Sequence, residues 1–273
     1  MYHAGNIINI LRVLLLNALR CGDPYPFVLT IFLTNKCNMS CINCITRNAI
    51  KKDINVNEAR MIADRKIPVI CVMGGEPTLH DSFVDILNLM SNNNSFVIVY
   101  TNGTNVEVFK DLDNVRMIRV VVSLHPNDNK DVLNKKVSFI KKIRSLGYDV
   151  YTNITVSSDI DMYNDVIVPD AYLSEVALHS RKIYVSKYHM VNCITTKREL
   201  TFCKDVARYI NNVYDIKVVC QAEASLFQRV LLRMASFILY GEKVNWCSMY
   251  PFRRYVYNDI LFGDCPLCKD GTK

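Results

Sequence analysis

Short apolar runs alternate with longer helix-like segments along most of this chain, and that alternation limits the fold more than any other pattern. Several runs, such as Val69–Met73, are apolar throughout. Strands that are covered on both faces have this composition. Strands that alternate with helices form a parallel sheet through right-handed crossovers. We therefore predict strands at 27–34, 69–73, 95–101, 117–123, 148–155, 182–187 and 216–221, and helices at 56–66, 82–92, 104–111, 129–145, 158–178 and 198–213.

Three cysteines, Cys37, Cys41 and Cys44, follow the first predicted strand. Cysteine thiolates hold iron–sulfur clusters. Three thiolates leave one iron of a four-iron cube without a protein ligand, so that iron can bind another molecule. A zinc site completed by a distant fourth ligand is one alternative, and three unrelated buried thiols are another.

Polar motifs also follow the next strands. Gly-Gly-Glu-Pro occupies 74–77 and Thr-Asn-Gly occupies 101–103, while Ser123 ends the fourth strand and Asn153 lies near the end of the fifth. Functional residues of parallel sheets gather where the strands end. We therefore expect these groups to lie together with the cysteines at the carboxyl edge of the sheet.

The cysteine spacing, the Gly-Gly-Glu-Pro motif and the Thr-Asn-Gly motif, in this order, resemble the radical S-adenosylmethionine (radical SAM) superfamily. The resemblance covers residues 26–221 and implies an α/β fold, the open (β/α)6 partial barrel. It also implies a [4Fe–4S] cluster and S-adenosylmethionine as cofactors. One electron from the cluster would cleave S-adenosylmethionine, and the resulting 5′-deoxyadenosyl radical would take a hydrogen from the substrate.

The resemblance further implies roles for individual residues. The three cysteines would hold the cluster. The edge at Gly74, Gly75 and Glu76 would meet the amine of S-adenosylmethionine, although a salt bridge from Glu76 that only shapes the turn is an alternative. The remaining residues implied to contact cofactor or substrate are Thr101, Asn102, Ser123 and Asn153.

The C-terminal tail holds a second set of cysteines. Cys247 precedes a segment, 254–262, that reads as a β-hairpin, and Cys265 and Cys268 follow it. A Cys-Pro-x-Cys pair can direct both thiolates at one metal ion. In part this pattern resembles the Twitch or SPASM extensions of radical SAM enzymes, which implies a second Fe–S cluster. A structural zinc ion and the absence of any metal are the alternatives.

The chain is expected to have three parts. These are an N-terminal helical segment at 1–25, the radical SAM partial barrel at 26–221, and a small cysteine-containing C-terminal extension at 222–273. The apolar stretches 7–19 and 229–240 are predicted to be amphipathic helices packed on a core, with a membrane-surface helix as the alternative. The stretch 7–19 is too short to cross a bilayer, and we predict no transmembrane segment.

Composition and charge narrow the class of protein. Half of the residues are hydrophobic and 22% are charged, which is typical of a globular protein. With 11 cysteines and no visible signal peptide, a reducing cytoplasm is favoured over a disulfide framework. The net charge of +7 fits an ordinary solvated surface or an anionic partner such as RNA, a nucleotide or a phosphorylated substrate. No Lys/Arg block or RNA-binding signature supports a nucleic-acid partner.

The sequence therefore predicts a cytoplasmic radical SAM enzyme that receives electrons from a donor such as flavodoxin or ferredoxin. Extended members of the superfamily commonly modify peptides or proteins, and the resemblance implies such a substrate. The alternative is modification of RNA or of a nucleotide-derived metabolite. A hypothesis from another class is a non-catalytic zinc-binding interaction protein in which the cysteines are structural staples.

Overall fold

The computed structural model describes most of the central part of the chain and shorter pieces at both ends. The described residues are 8–12, 15, 28–41, 44, 53–125, 128–156, 170–187, 205, 207–213, 218–220, 253–257 and 260–263.

The described strands form one nine-stranded sheet in the order β7-β6-β5-β4-β3-β2-β1-β8-β9. Strands β1 to β7 are parallel neighbours in sequence order, β8 pairs with β1 in parallel, and β9 is antiparallel to β8. The strands are β1 (Val28–Phe32), β2 (Val69–Met73), β3 (Phe96–Thr101), β4 (Ile118–Leu124), β5 (Asp149–Val156), β6 (Lys182–Lys187), β7 (Val218–Cys220), β8 (Arg253–Tyr257) and β9 (Ile260–Gly263).

Helices return the chain between parallel strands. They are α1 (Val56–Ala63), α2 (Phe83–Asn92), α3 (Lys130–Ser145) and α4 (Asp170–His179), and further helical residues lie at 8–12, 15, 205 and 207–213. Asparagine begins two of them: Asn55 forms a capping box with Glu58, and the Asn129 side chain accepts a hydrogen bond from the Val132 amide. Such caps satisfy amides that the first helical turn leaves without partners.

The two faces of the sheet differ in burial, and this defines the open barrel. On the outer face, alternate strand residues are fully buried in one core with the helices. They include Leu29, Ile31, Val97, Val99, Val120 and Val122. Several residues of the inner face are only partly buried, such as Phe96, Ile98 and Tyr100 of β3. The predicted open (β/α)6 partial barrel is confirmed, with β1 to β6 as its strands and β7 and the β8–β9 hairpin added at its two edges.

The predicted helix at 104–111 is wrong, because only Glu107–Phe109 form a single 3₁₀ turn there. Polar side chains before the turn are bonded elsewhere. Thr104 donates to the Asn102 side chain, and the Asn105 side chain donates to the Thr78 carbonyl at 3.1 Å. Such local bonds compete with helix formation. The predicted β-hairpin at 254–262 is confirmed by the β8–β9 pairing.

Two polar side chains in the described part of the N-terminal helix bond to the barrel, and the predicted packing of an apolar face stays a prediction. Asn9 is 4% exposed and donates to the Asn94 carbonyl at 3.2 Å, and Arg12 donates to the Arg65 carbonyl at 3.2 Å. Both carbonyls lie just after helix ends, where carbonyls lack helical partners and therefore attract donors. These two bonds join residues 9 and 12 of the helix to the barrel. The stretch 229–240 lies outside the described residues, and no helix in the described part of the chain is long and apolar enough to cross a membrane.

Candidate functional site

The turn after β2 is joined to the loop after β1, which carries the cysteines. The Gly75 amide donates to the Thr34 carbonyl at 2.7 Å, and the Glu76 amide donates to the Lys36 carbonyl at 2.8 Å. These bonds continue the β1–β2 pairing past the ends of both strands. The Gly-Gly-Glu-Pro turn thus supports the start of the cysteine loop, one residue before Cys37.

This close approach accounts for the two glycines. A Cβ atom on Gly74 would lie 2.6 Å from the Thr34 carbonyl oxygen. A Cβ atom on Gly75 would lie 2.8 Å from the Asn35 carbonyl oxygen and closer still to that of Lys36. Carbon atoms cannot approach backbone oxygens so closely without a shift of the chain. The two glycines therefore leave room for the backbone of the cysteine loop. Their contact with S-adenosylmethionine stays a prediction.

Glu76 is fully buried and joins the turn after β2 to the end of β3. Its Oε1 accepts hydrogen bonds from the Thr78 and Thr101 hydroxyls at 2.6 and 2.7 Å, and its Oε2 accepts one from the Asn102 amide at 2.6 Å. Burial raises the pKa of Glu76, while the hydrogen bonds from Asn102, Thr78 and Thr101 oppose that rise. Among the described residues its donors are amides and hydroxyls rather than the Lys or Arg of the alternative interpretation. Glu76 thus holds Thr101 and Asn102 in place.

Side chains of the cysteine loop and of the turn after β3 form a closed ring of hydrogen bonds. Asn102 donates to Asn38 Oδ1 at 2.8 Å, Asn38 donates to the Thr104 hydroxyl at 2.9 Å, and that hydroxyl donates to Asn102 Oδ1 at 2.6 Å. Each side chain in this ring donates once and accepts once. The ring connects the Thr-Asn-Gly motif to the cysteine loop, and no sequence motif predicted this role for Asn38 or Thr104.

The three cysteines of the loop lie at the mouth of the barrel and are not in disulfides. Cys37 is exposed, and Cys41 and Cys44 are partly buried. Burial raises the pKa of Cys37 and of Cys41, and the neighbouring Cys44 thiol raises both further. A hydrogen bond from the Asn102 side chain lowers the pKa of Cys37.

This donor set fits an iron–sulfur cluster. Thiolates that raise one another's pKa are destabilised together, and a metal cation among them removes that penalty. In the described parts of the chain no three His, Cys, Asp or Glu side chains already stand in a metal-binding arrangement. The chemistry of Cys37, Cys41 and Cys44 and their place at the mouth suit a cluster, and their role as its ligands stays a prediction.

A buried ion pair lies beneath the loop after β4. Lys136 of α3 is 0% exposed, and its Nζ lies 2.5 Å from Oδ2 of Asp128, which also accepts the His125 amide at 2.8 Å. Burial lowers the pKa of Lys136, and Asp128 opposes this. The stem of Lys136 packs near Gly103, because a Cβ atom there would lie 3.6 Å from Lys136 Cγ. The signal in the sequence was a lysine placed inside the apolar stripe of α3.

Ser123 and Asn153 are register partners on β4 and β5, as their predicted positions require. Both are partly buried. Asn153 Oδ1 is buried and accepts no hydrogen bond from the described residues, whereas its Nδ2 makes a long 3.4 Å bond to Thr155. A buried amide oxygen is costly without a donor, so this atom is suited to receive one from a ligand. The predicted tail ligands Cys247, Cys265 and Cys268 lie outside the described residues.

Comparison with known proteins gives this site a chemical class. Residues 31–159 match the model of the Radical SAM superfamily. This segment contains the cysteine loop and both turns described above, and it shows that the chain contains a radical SAM domain. The expectation that the chain is an enzyme is confirmed by this match and by the enzymes among its relatives.

Two curated relatives carry names of nucleotide chemistry. The chain is 29% identical over 157 residues to a "Probable GTP 3′,8-cyclase" of Pyrococcus abyssi, covering 52% of this chain and 51% of the relative. It is 26% identical over 149 residues to the 7-carboxy-7-deazaguanine synthase of Clostridium acetobutylicum, covering 46% and 67%. The chain spans about half the length of the cyclase relatives.

Solved structures share the fold. SuiB of Streptococcus suis bound to S-adenosylmethionine has a TM-score of 0.56 at 19% identity, covering 72% of this chain and 50% of that one. SuiB bound to its precursor peptide SuiA has a TM-score of 0.60 at 14% identity, covering 92% and 61%. At these identities the likeness establishes the fold of the barrel.

Proposed function

We propose that this protein is a radical SAM enzyme that removes a hydrogen atom from a nucleotide-derived substrate. The observation that carries the reaction type is the network joining the three motifs, in which Glu76 bonds to Asn102 and Asn102 bonds to Asn38. Through these bonds the cysteine loop, the Gly-Gly-Glu-Pro turn and the Thr-Asn-Gly turn form one unit at the carboxyl edge.

The chain's own residues supply position, charge and exclusion of water. Cys37, Cys41 and Cys44 would hold a [4Fe–4S] cluster and leave one iron for the amine and carboxylate of S-adenosylmethionine. When bound, cluster and cofactor together supply an electron and a carbon radical that takes hydrogen from a substrate. The turn at Gly74, Gly75 and Glu76 holds the cysteine loop on one side and the end of β3 on the other. We propose that the remaining contacts with the cofactor or the substrate are made by Thr101, Asn102, Ser123 and Asn153.

The substrate class rests on the named relatives. The sequence predicts a peptide or protein substrate, with RNA or a nucleotide-derived metabolite as the alternative, and the comparisons favour the alternative. Two relatives are named for a nucleotide or a deazaguanine product, whereas the likeness to peptide-bound SuiB at 14% identity supports the fold only. Partly buried Tyr100, on the inner face near the carboxyl end of β3, suits a planar base, because aromatic rings stack on such groups.

The reaction type is tested by anaerobic reconstitution with iron and sulfide, followed by dithionite and S-adenosylmethionine. We expect release of 5′-deoxyadenosine and methionine, and we expect Cys41→Ala to abolish both. Cys71→Ala, which removes a buried cysteine inside β2, is the matched control and should retain cleavage. Equal cleavage by Cys41→Ala and the wild type would refute the assignment.

The substrate class is tested with the same preparation and a panel of purine nucleotides that includes GTP. We expect one of them to accelerate the release of 5′-deoxyadenosine and to be converted to a product of altered mass. Deuterium from the labelled nucleotide should appear in 5′-deoxyadenosine. Acceleration by peptides alone would restore the peptide alternative, and it would leave the cleavage reaction unaffected.

The C-terminal extension, at 222–273, is proposed to be a Twitch-like region in which Cys247, Cys265 and Cys268 hold a second Fe–S cluster. The support is the spacing of these cysteines beside the β8–β9 hairpin. That hairpin extends the barrel sheet beside β1, the strand that leads into the cysteine loop. We further propose a cytoplasmic location and an electron donor of the flavodoxin or ferredoxin type, since the reaction needs a low-potential electron.

A further inference from the structure

Exposed apolar side chains of the described residues collect at one end of the barrel. Helices between parallel strands run back against them, so their C-terminal ends lie at the amino edge of the sheet, opposite the candidate site. Four exposed hydrophobic residues lie at or near these ends: Met61 of α1, Leu146 after α3, Leu178 of α4 and Val213 before β7. Because they lie singly on different helices, these residues alone do not define an interaction site.

The N-terminal helix adds an apolar stripe at the same end. Ile8, Leu11 and Leu15 are 64%, 59% and 59% exposed, and their spacing places them on one side of a helix. The bonds of Asn9 and Arg12 to the carbonyls after α2 and α1 fix the other side of this helix to the barrel. The stripe consequently faces outward, on the side away from the barrel.

The charge at this end is mainly positive. Its exposed cations include Arg12, Arg60, Lys66, Arg116, Lys142 and Arg144. The exposed acids described there are Asp64, Glu107, Asp111 and Asp113, and Glu107 is paired with Lys110. Apolar side chains among an excess of cations match the surface of an anionic bilayer, which offers acyl chains below negative headgroups.

We propose that the amino end of this barrel binds the surface of an anionic lipid bilayer. The stripe Ile8, Leu11 and Leu15 enters the boundary between headgroups and acyl chains, and the cations contact the headgroups. In this orientation the candidate site at the carboxyl edge faces the aqueous phase.

The test is flotation of the full-length reconstituted protein with vesicles of phosphatidylcholine mixed with phosphatidylglycerol, and with vesicles of phosphatidylcholine alone. We expect binding to the mixed vesicles that weakens with added salt. The triple variant Ile8→Ser, Leu11→Ser, Leu15→Ser should lower the partition coefficient by about tenfold or more, because the apolar contact is lost. Both proteins should cleave S-adenosylmethionine equally, which shows that the variant folds.

Two charge-reversal variants test whether vesicle binding depends on the position of the cations or only on the net charge of the protein. Lys66→Glu with Arg144→Glu changes the amino end, whereas Lys130→Glu with Lys135→Glu makes the same change in net charge at the other end of α3 and along its exposed side. We expect only the first pair to reduce binding to the mixed vesicles. The proposal is overturned if the wild type fails to float with either vesicle. It is also overturned if light scattering shows a dimer that the triple serine variant converts to a monomer, because a second copy would then cover the stripe.

Discussion

The side-chain amide of Asn102 donates a 2.8 Å hydrogen bond to Oδ1 of Asn38, the neighbour of Cys37. One polar contact thus couples a turn after β3 to the loop that would hold the cluster. Asn102 is also held by Glu76 through its backbone amide, so the contact extends to the turn after β2.

Asn102→Ala should weaken retention of the cluster. The change removes the bonds that join Asn102 to Asn38 and to Thr104, and because both of these residues are exposed to water we expect a cost of about 0.5–1.5 kcal/mol per bond in the free energy of unfolding. We expect lower stability in urea and a lower iron content after gel filtration of reconstituted protein. The control is Asn105→Ala, which removes one bond to the Thr78 carbonyl outside the ring. Equal iron contents in the two variants would contradict this role for Asn102.

Gly75→Val should damage the cluster site itself and not only the binding of S-adenosylmethionine. Its side chain would collide with the carbonyl oxygens of Asn35 and Lys36, so the loop before Cys37 must move. We expect iron content and cofactor affinity to fall together. Gly147→Ala is the control, because it strains the backbone far from the cysteine loop. Gly147 lies at the amino edge with φ of 89°, and a Cβ atom there would approach only the Val115 side chain. It should lower the melting temperature and retain iron. Full iron content in Gly75→Val with loss of cofactor binding would show that the turn contacts the cofactor only.

Removal of one member of the buried ion pair should be strongly destabilising. Asp128→Ala leaves Lys136 charged and buried, at a cost of about 3–5 kcal/mol. The double variant Asp128→Ala, Lys136→Met should recover much of that loss, because no isolated charge remains. A double-mutant cycle by urea unfolding measures the coupling. Additive effects of the two changes would mean that the pair is not coupled.

The stability of the cluster-free protein should depend on pH through Glu76. Burial raises the pKa of the folded carboxyl above its ordinary value of 4.5. The resulting stabilisation is fully present below pH 4.5 and is lost as the pH rises through the folded pKa. The Gln side chain of the Glu76→Gln variant cannot ionise. As the pH rises through this window, the free energy of unfolding of the wild type should therefore fall relative to that of the variant. Urea unfolding over a pH series measures the difference, and a constant value would show that the folded pKa is not raised.

Iron analysis tests the proposed second cluster. Two four-iron cubes held by thiolates predict about eight irons per chain after anaerobic reconstitution. The triple variant Cys37→Ala, Cys41→Ala, Cys44→Ala should then keep about half of the iron. One equivalent of zinc beside about four irons would instead indicate a structural zinc site at Cys247, Cys265 and Cys268. Loss of all iron in the triple variant would refute the auxiliary cluster.

Much of the barrel could be predicted because its signals are local. Runs rich in β-branched and aromatic residues predicted the strands β1 to β6, and the alternation of strands and helices predicted the parallel sheet. The predicted helix at 104–111 failed because Thr104 and Asn105 bond to groups distant in sequence, at Asn38 and Thr78. The helix propensity of a segment carries no information on hydrogen-bond partners that are distant in sequence.

The sequence by itself determined the class of the site, since cysteine spacing and strand-end motifs are written in short stretches of chain. Only the tertiary structure decided what the motif residues contact. It placed Gly75 against the backbone of the cysteine loop, paired Glu76 with the Asn102 amide, and joined Asn9 to the Asn94 carbonyl. These outcomes depend on which surfaces meet when strands and helices pack, and packing joins residues that the sequence keeps far apart.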